Sequence, residues 1–318
     1  MSRKNKKFRK AQIIKPEVLP KRAEQAAPIN LGFLNAATIR PPDYRMVQII
    51  QVGCGGIGAY MAQHIGRLMR VMYQSDKGVH LLLVDPDEVR YENIGRQLFC
   101  DAEVGRPKCE ALARRYGHAW GLNVSSYVGE FEDSLLLGTE LTVLVGCVDN
   151  AKARQSLHEV LQANDPETLP SIWWLDCGNL RDTGRVLLGT AKDIEQCAGA
   201  FIDKTCIALP GPGLQSPGLL EPTPEELAGT DMSCAQLAAA NLQSLNINSL
   251  IAAVAADFLT RLLLTNDLKR FACEINLAAG AMKSIYAIPQ EVARVIGRDE
   301  AFVMRERKGS PVTVAAAV

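Results

Sequence analysis

The chain has 318 residues, 47% of them apolar, and 35 basic side chains balance 35 acidic ones. That is enough to bury a large core, and zero net charge supplies no global field for nucleic acid or an anionic membrane. Nine cysteines with no CxxC pair, in a chain without an apolar leader, read as the reduced thiols of a cytoplasmic protein; no structural zinc is expected.

The first 22 residues, MSRKNKKFRKAQIIKPEVLPKR, concentrate Lys and Arg. They predict a solvated, disordered arm over residues 1–40, a place where nucleic acid or a partner would dock if either does. A folded domain is expected over 41–304 and a frayed tail over 305–318. The run MVQIIQV reads as a buried strand. After it come Gly53, Gly55, Gly56 and Gly58, then a helical period from Ile57 to Tyr73.

A second strand, GVHLLLV, ends at Asp85. GRPK opens the helix CEALARRYGHAW, LNVSSYVGEF and LTVLVGCVD follow as strands, and a helix over 151–163 leads to the strand IWWLDCGN. This alternation predicts an α/β fold: a Rossmann-like, doubly wound, mostly parallel sheet with helices on both faces. After the strand VLLGTA, residues 191–233 are rich in Pro and Gly and read as a long irregular crossover. A long apolar helix over 235–264 and a closing antiparallel hairpin, FACEINLAAGAMKSIYAI, complete the chain. No run is read as a membrane span.

A glycine turn between a strand and a helix is a phosphate site, because backbone N–H groups at the helix dipole's positive end meet the ligand without a Cβ between them. NAD, FAD and ATP are all held this way. Asp85, at a strand end, suits ribose hydroxyls. Asn93, Arg96 and Gln97 in YENIGRQ, Lys108 in GRPK and Asp149 in CVDN also sit at element ends. Two cations and an extra carboxylate are what triphosphate chemistry uses: Arg96 and Lys108 for phosphate charge, Asp149 for Mg²⁺. Taken singly, Arg96 is a surface ion-pair partner, Lys108 a solvated first-turn residue and Asp149 an N-cap.

In this order the motifs resemble the adenylating domain of the ThiF, MoeB, HesA and ubiquitin-activating enzyme family, over about residues 47–190. Within it, SCAQLAAANLQSLNINSLIAAVAADFL looks most like the ThiF-type proteins of the plasmid-associated PRTRC system. The resemblance implies a Mg·ATP-dependent enzyme that adenylates the C-terminal glycine of a small ubiquitin-like protein and releases pyrophosphate. It implies Gly53, Gly55, Gly56 and Gly58 on phosphates, Asp85 on ribose, Arg96 and Lys108 on the triphosphate, Asp149 on the metal, and Asn93 and Gln97 shaping the loop or touching ATP.

It also implies a homodimer, with conjugating-type and JAB-type protease companions. Cys234, at a helix start after the crossover, is either the thioester nucleophile of such enzymes or a small half-buried residue. Two features of many relatives are missing: the paired-cysteine zinc motif, and an N-terminal R-Y-x-R-Q helix whose arginine reaches the partner's site, for which Arg40 and Arg45 are weak substitutes. The competing readings are a Rossmann-type NAD-dependent oxidoreductase and a non-catalytic scaffold of the same fold.

Overall fold

The computed structural model describes residues 31–228 and 246–307. The basic arm through residue 30, the stretch 229–245 with Cys234, and the tail from 308 lie outside the described residues.

A short helix α1 (Gly32–Asn35) and strand β1 (Thr38–Ile39) precede the first long strand, β2 (Met46–Val52). Residues 32–40 are thus built into the fold, correcting the expectation of an arm reaching residue 40. Ala37 and Ile39 donate backbone hydrogen bonds to Ala287 O and Leu268 O at 2.8 and 2.7 Å. Ile39 is fully buried, so this segment is tied down by burial as well as by backbone pairing.

Helix α2 (Gly56–Tyr73) leads to β3 (Gly78–Val84), then α3 (Lys108–Trp120) and β4 (Val124–Tyr127). Beyond β5 (Leu141–Gly146) and α4 (Ala151–Val160) come β6 (Ile172–Asn179) and β7 (Thr183–Gly189). In LNVSSYVGEF only four residues extend, because the strand sits on the sheet's edge and pairs only with β3.

The crossover carries more order than its composition predicts. It contains β8 (Phe201–Ile202), β9 (Thr205–Cys206), α5 (Pro212–Gln215) and α6 (Pro224–Ala228). Ala200, Cys206 and Leu209 are fully buried, which anchors the stretch. β1 pairs in parallel with β9, so the chain's beginning joins this small second sheet.

Helix α7 (Ile247–Thr260) continues as a π-helical turn to Thr265 and stops at Asn266, whose φ is 52°. The run Ile247–Thr265 has a mean hydropathy of 1.6, long and apolar enough by composition to cross a bilayer. In this fold it packs on α2, β6 and β7 and carries Asp257 and Arg261. The hairpin of β10 (Arg270–Asn276) and β11 (Ala281–Tyr286) follows, then α8 (Pro289–Ile296) and α9 (Glu300–Met304).

The main sheet has eight strands in the order β11-β10-β7-β6-β5-β2-β3-β4. From β6 to β4 the pairings are parallel; β7, β10 and β11 add antiparallel neighbours. This is the Rossmann-like α/β architecture. The chain leaves β2 toward β3 on one side and returns through β5 on the other. That reversal opens a crevice at the carboxyl ends of β2 and β5, where such sheets hold ligands.

Candidate nucleotide and acceptor cleft

Gly53 begins the turn after β2 with φ 92°, and a Cβ placed on it would lie 2.6 Å from Cys147 O, beyond the end of β5. Only glycine fits both conditions, and Cys147 N in turn donates to Val52 O at 2.7 Å. Gln51, fully buried, braces the turn from beneath: its Nε2 donates to Gly53 O at 3.1 Å and Gly58 O at 2.9 Å. Helix α2 then starts after its N-cap Gly55, which provides no side-chain cap. The first-turn N–H groups of α2 therefore lack a side-chain cap, and Gly55, Gly56 and Ile57 line the cleft.

Gly58 differs from the glycine role expected of it. It is buried and absent from the cleft lining, and its missing side chain lets Gly53 O approach to 2.0 Å from where a Cβ would stand. It serves packing of the turn against its own helix. Gly56 leaves room for Asn248 of α7, whose Nδ2 lies 2.7 Å from the notional Cβ.

A cleft of about 1150 Å³ gathers Gly53, Gly55, Gly56, Asp85, Asn93, Arg96, Gln97, Lys108 and Asp149 along its walls. Arg40 and Arg45 are not in that lining. Asp85 is 5% exposed; its Oδ2 accepts Cys54 N–H at 2.6 Å and its Oδ1 accepts Asp87 N–H at 2.8 Å. Burial pushes its carboxyl above the usual range, opposed by those amides and by Lys108. Asp85 therefore locks the glycine turn to the end of β3, whatever else it binds.

Lys108 is 6% exposed, so it is not the solvated first-turn residue of the plainer reading. Its Nζ pairs with Asp87 Oδ2 at 2.7 Å. Asp87 went unnoticed in the sequence, although the D-P-D spacing places it two residues beyond the strand-end carboxylate. Arg96 hangs on the 3₁₀ turn Tyr91–Asn93, its Nε donating to Glu92 O at 3.1 Å. Asn93 Oδ1 closes that turn by accepting Arg90 N–H at 2.8 Å. Gln97 lies over Gly55, its Nε2 3.6 Å from the notional Cβ.

The N-cap of α4 is Asn150, which accepts Ala153 N–H at 2.9 Å. Asp149 is consequently free of capping and stands exposed in the cleft. Among the described residues no three His, Cys, Asp or Glu side chains converge as a metal site. A Mg²⁺ ion here would take one carboxylate from Asp149 and its remaining oxygens from phosphates and water, a donor set that suits this ion.

Among the described cysteines, burial pushes the Cys54 and Cys206 thiols up, Cys109 to about 11 and Cys197 to about 12. The hydrogen bond to Cys177 and burial also raise Cys147. None of these five is poised as a thiolate.

No curated protein sequence matches the chain. Among solved structures, E. coli MccB with ATP aligns at 15% identity and a TM-score of 0.50 over 76% of this chain and 63% of that one. E. coli MccB with MccA gives 15% and 0.50 over 76% and 64%, and PaaA gives 17% and 0.49 over 76% and 64%. The chain thus spans less than two thirds of the length of these structures, and at such identities the likeness is one of fold. The model of the ThiF family matches residues 43–218, more than half of the sequence. With that match over β2 to β7 and the first part of the crossover, the chain belongs to the ThiF family.

Proposed function

We propose that this protein is an ATP-dependent adenylating enzyme that activates the C-terminal carboxylate of a small ubiquitin-like protein. The observation that carries the reading is the convergence of an uncapped glycine turn, Arg96, the Lys108–Asp87 pair and the exposed Asp149 in one cleft. MccB, of the same fold, has been solved with ATP and with MccA.

The amides of the α2 N-terminus receive phosphate oxygens, and Arg96 and Lys108 oppose the charge gathering on the leaving group. Asp149 would hold a Mg²⁺ ion, which would supply charge stabilisation to the phosphates. An acceptor carboxylate oxygen bonds to the α-phosphorus while the bond to the bridging oxygen breaks, and that electron pair departs on pyrophosphate. No general base is needed, since a carboxylate is already ionised near neutrality.

An NAD-dependent oxidoreductase gives no work to Asp149 or Lys108. Thermal shift with Mg·ATP and with NAD(H) tests the reading: stabilisation by Mg·ATP that is lost in Lys108→Ala supports it, and stabilisation by NAD(H) alone overturns it. A later thioester is assigned to Cys234 on the family resemblance, because such enzymes carry their thioester cysteine in or just after the crossover, where Cys234 falls in the sequence. Cys234→Ala should abolish a reducible adduct and leave ATP–pyrophosphate exchange intact. The PRTRC kinship, the homodimer and the cytoplasmic setting, with conjugating-type and JAB-type companions, belong to the same proposal.

A further inference from the structure

Of the eight buried residues of α7, only Asn248 carries a polar side chain. It is 3% exposed and yet forms part of the cleft wall. An amide in that setting costs stability unless its groups are paired. The pairing is what gives this one a role.

The Asn248 amide reaches three other elements. Its Oδ1 accepts from Asn179 Nδ2 at 3.0 Å, at the end of β6, and its Nδ2 donates to Arg96 O at 3.4 Å. Toward α2, its Nδ2, Cγ and Oδ1 stand 2.7, 3.0 and 3.0 Å from where a Cβ on Gly56 would be, so the flat amide lies across the first residue of that helix. Gly56 therefore lacks a Cβ for the amide's sake, a requirement separate from the approach of a phosphate.

Arg96 follows the 3₁₀ turn Tyr91–Asn93 and comes directly after Gly95, whose φ is 88°. The bond from its Nε to Glu92 O orients the guanidinium within this loop. Asn248 adds the relation between the loop and the phosphate turn, because the amide that holds the Arg96 carbonyl also lies on Gly56. A planar amide with its donor and acceptor both engaged has one orientation, and Asn179 sets it.

We propose that Asn248 is a positioning residue for the triphosphate: through the Arg96 carbonyl it holds Arg96 at its working distance from the α2 N-terminus. The inference rests on the adenylation reading above and adds a residue that acts through Arg96 rather than on the reacting atoms. A charge displaced slightly from the phosphate it opposes loses much of its effect.

The test uses the full chain and calorimetric binding of two probes: the α,β-methylene analogue of ATP with Mg²⁺, and AMP, which lacks the phosphates expected on Arg96. Asn248→Ala should weaken the analogue by about ten-fold and AMP by less than about two-fold, and Arg96→Ala should show the same selectivity. In the Arg96→Ala background, Asn248→Ala should cost less than about two-fold more, because changes that act through one contact are not additive. Asn179 is half-buried at a strand end, so Asn179→Ala keeps Asn248 in place and carries the test if Asn248→Ala does not fold. It should reproduce the pattern at about three-fold. Equal losses for both probes, or an undiminished loss in the Arg96→Ala background, overturn the positioning role and make Asn248 a general brace of the fold. Analogue affinity unchanged in both variants overturns it as well. If wild type does not bind the analogue, the nucleotide reading itself falls, and the role of Asn248 with it.

Discussion

The ammonium of Lys108, at the first position of α3, lies 2.7 Å from Asp87 Oδ2, with the lysine side chain 8% exposed and the aspartate 63% exposed. The pair therefore has a dry end and a wet end. Removing the lysine leaves a carboxylate that water can reach, so Lys108→Met should fold with a cost of about 1 kcal/mol, within the range for partly exposed pairs. Loss of a phosphate-stabilising charge should lower ATP–pyrophosphate exchange by about 10²-fold or more. Calorimetric unfolding measured beside the exchange rate checks the split; a collapsed fold would make Lys108 structural.

Gly55 and Gly58 separate function from packing within one turn. A Cβ on Gly55 meets nothing nearer than Gln97 Nε2 at 3.6 Å, whereas on Gly58 it would strike Gly53 O at 2.0 Å. Gly55→Ala should keep its melting temperature within a few degrees, about 1 kcal/mol or less, and weaken the Mg·ATP shift by standing between phosphate and amide. Gly58→Ala should lower the melting temperature sharply before any ligand is added. The reverse pattern would exchange their roles.

Gln51 predicts a loss with no ligand contact at all. Its amide satisfies two carbonyls of the glycine turn, so Gln51→Leu strands buried acceptors at about 1–3 kcal/mol each. Denaturant melts should show the destabilisation, and Mg·ATP should recover part of it by binding the folded state.

The acid limb of stability should depend on Glu103. Burial raises its carboxyl, but Arg115 and the Cys100 amide outweigh this and hold it below the ordinary value of 4.5. A carboxyl depressed in the fold contributes stability that is complete above the unfolded value and lost as pH falls through the folded one. Glu103→Gln should therefore cost about 1.5–3 kcal/mol at neutral pH through lost charged hydrogen bonds. The gap to wild type should narrow below pH 4.5, where the unfolded chain begins to take up the proton. A gap independent of pH would mean that the Arg115 contact is not what stabilises the carboxylate.

Alternating apolar runs and glycine punctuation made the sheet legible before any coordinates, because strands buried on both faces are nearly continuous apolar runs, as LLLV and IWWL are. The cleft's residues were legible because they stand at element ends. What stayed hidden depends on sequence-distant contacts. The Asp87 pairing needs α3 folded against the loop after β3. The use of Gly58 for packing needs the turn to close on itself. The pairing of Thr38–Ile39 with Thr205–Cys206 joins segments that carry no mutual signal. Likewise nothing local to IWWLDCGN shows that Arg154 of α4 pairs with Asp176.

The clasp between β1 and β9, with Ala37 and Ile39 hydrogen bonded to Ala287 and Leu268, governs the order in which this protein can be made. As the ribosome releases the chain, residues 37–39 must wait until almost all of it has emerged before finding their partners, and such distant contacts form late. Until then the parallel strands lack β10 and β11, and the face of β7 that will pair with β10 is an open edge. A fragment cut to residues 43–218 would be frozen at that stage, an exposed sheet inclined to aggregate.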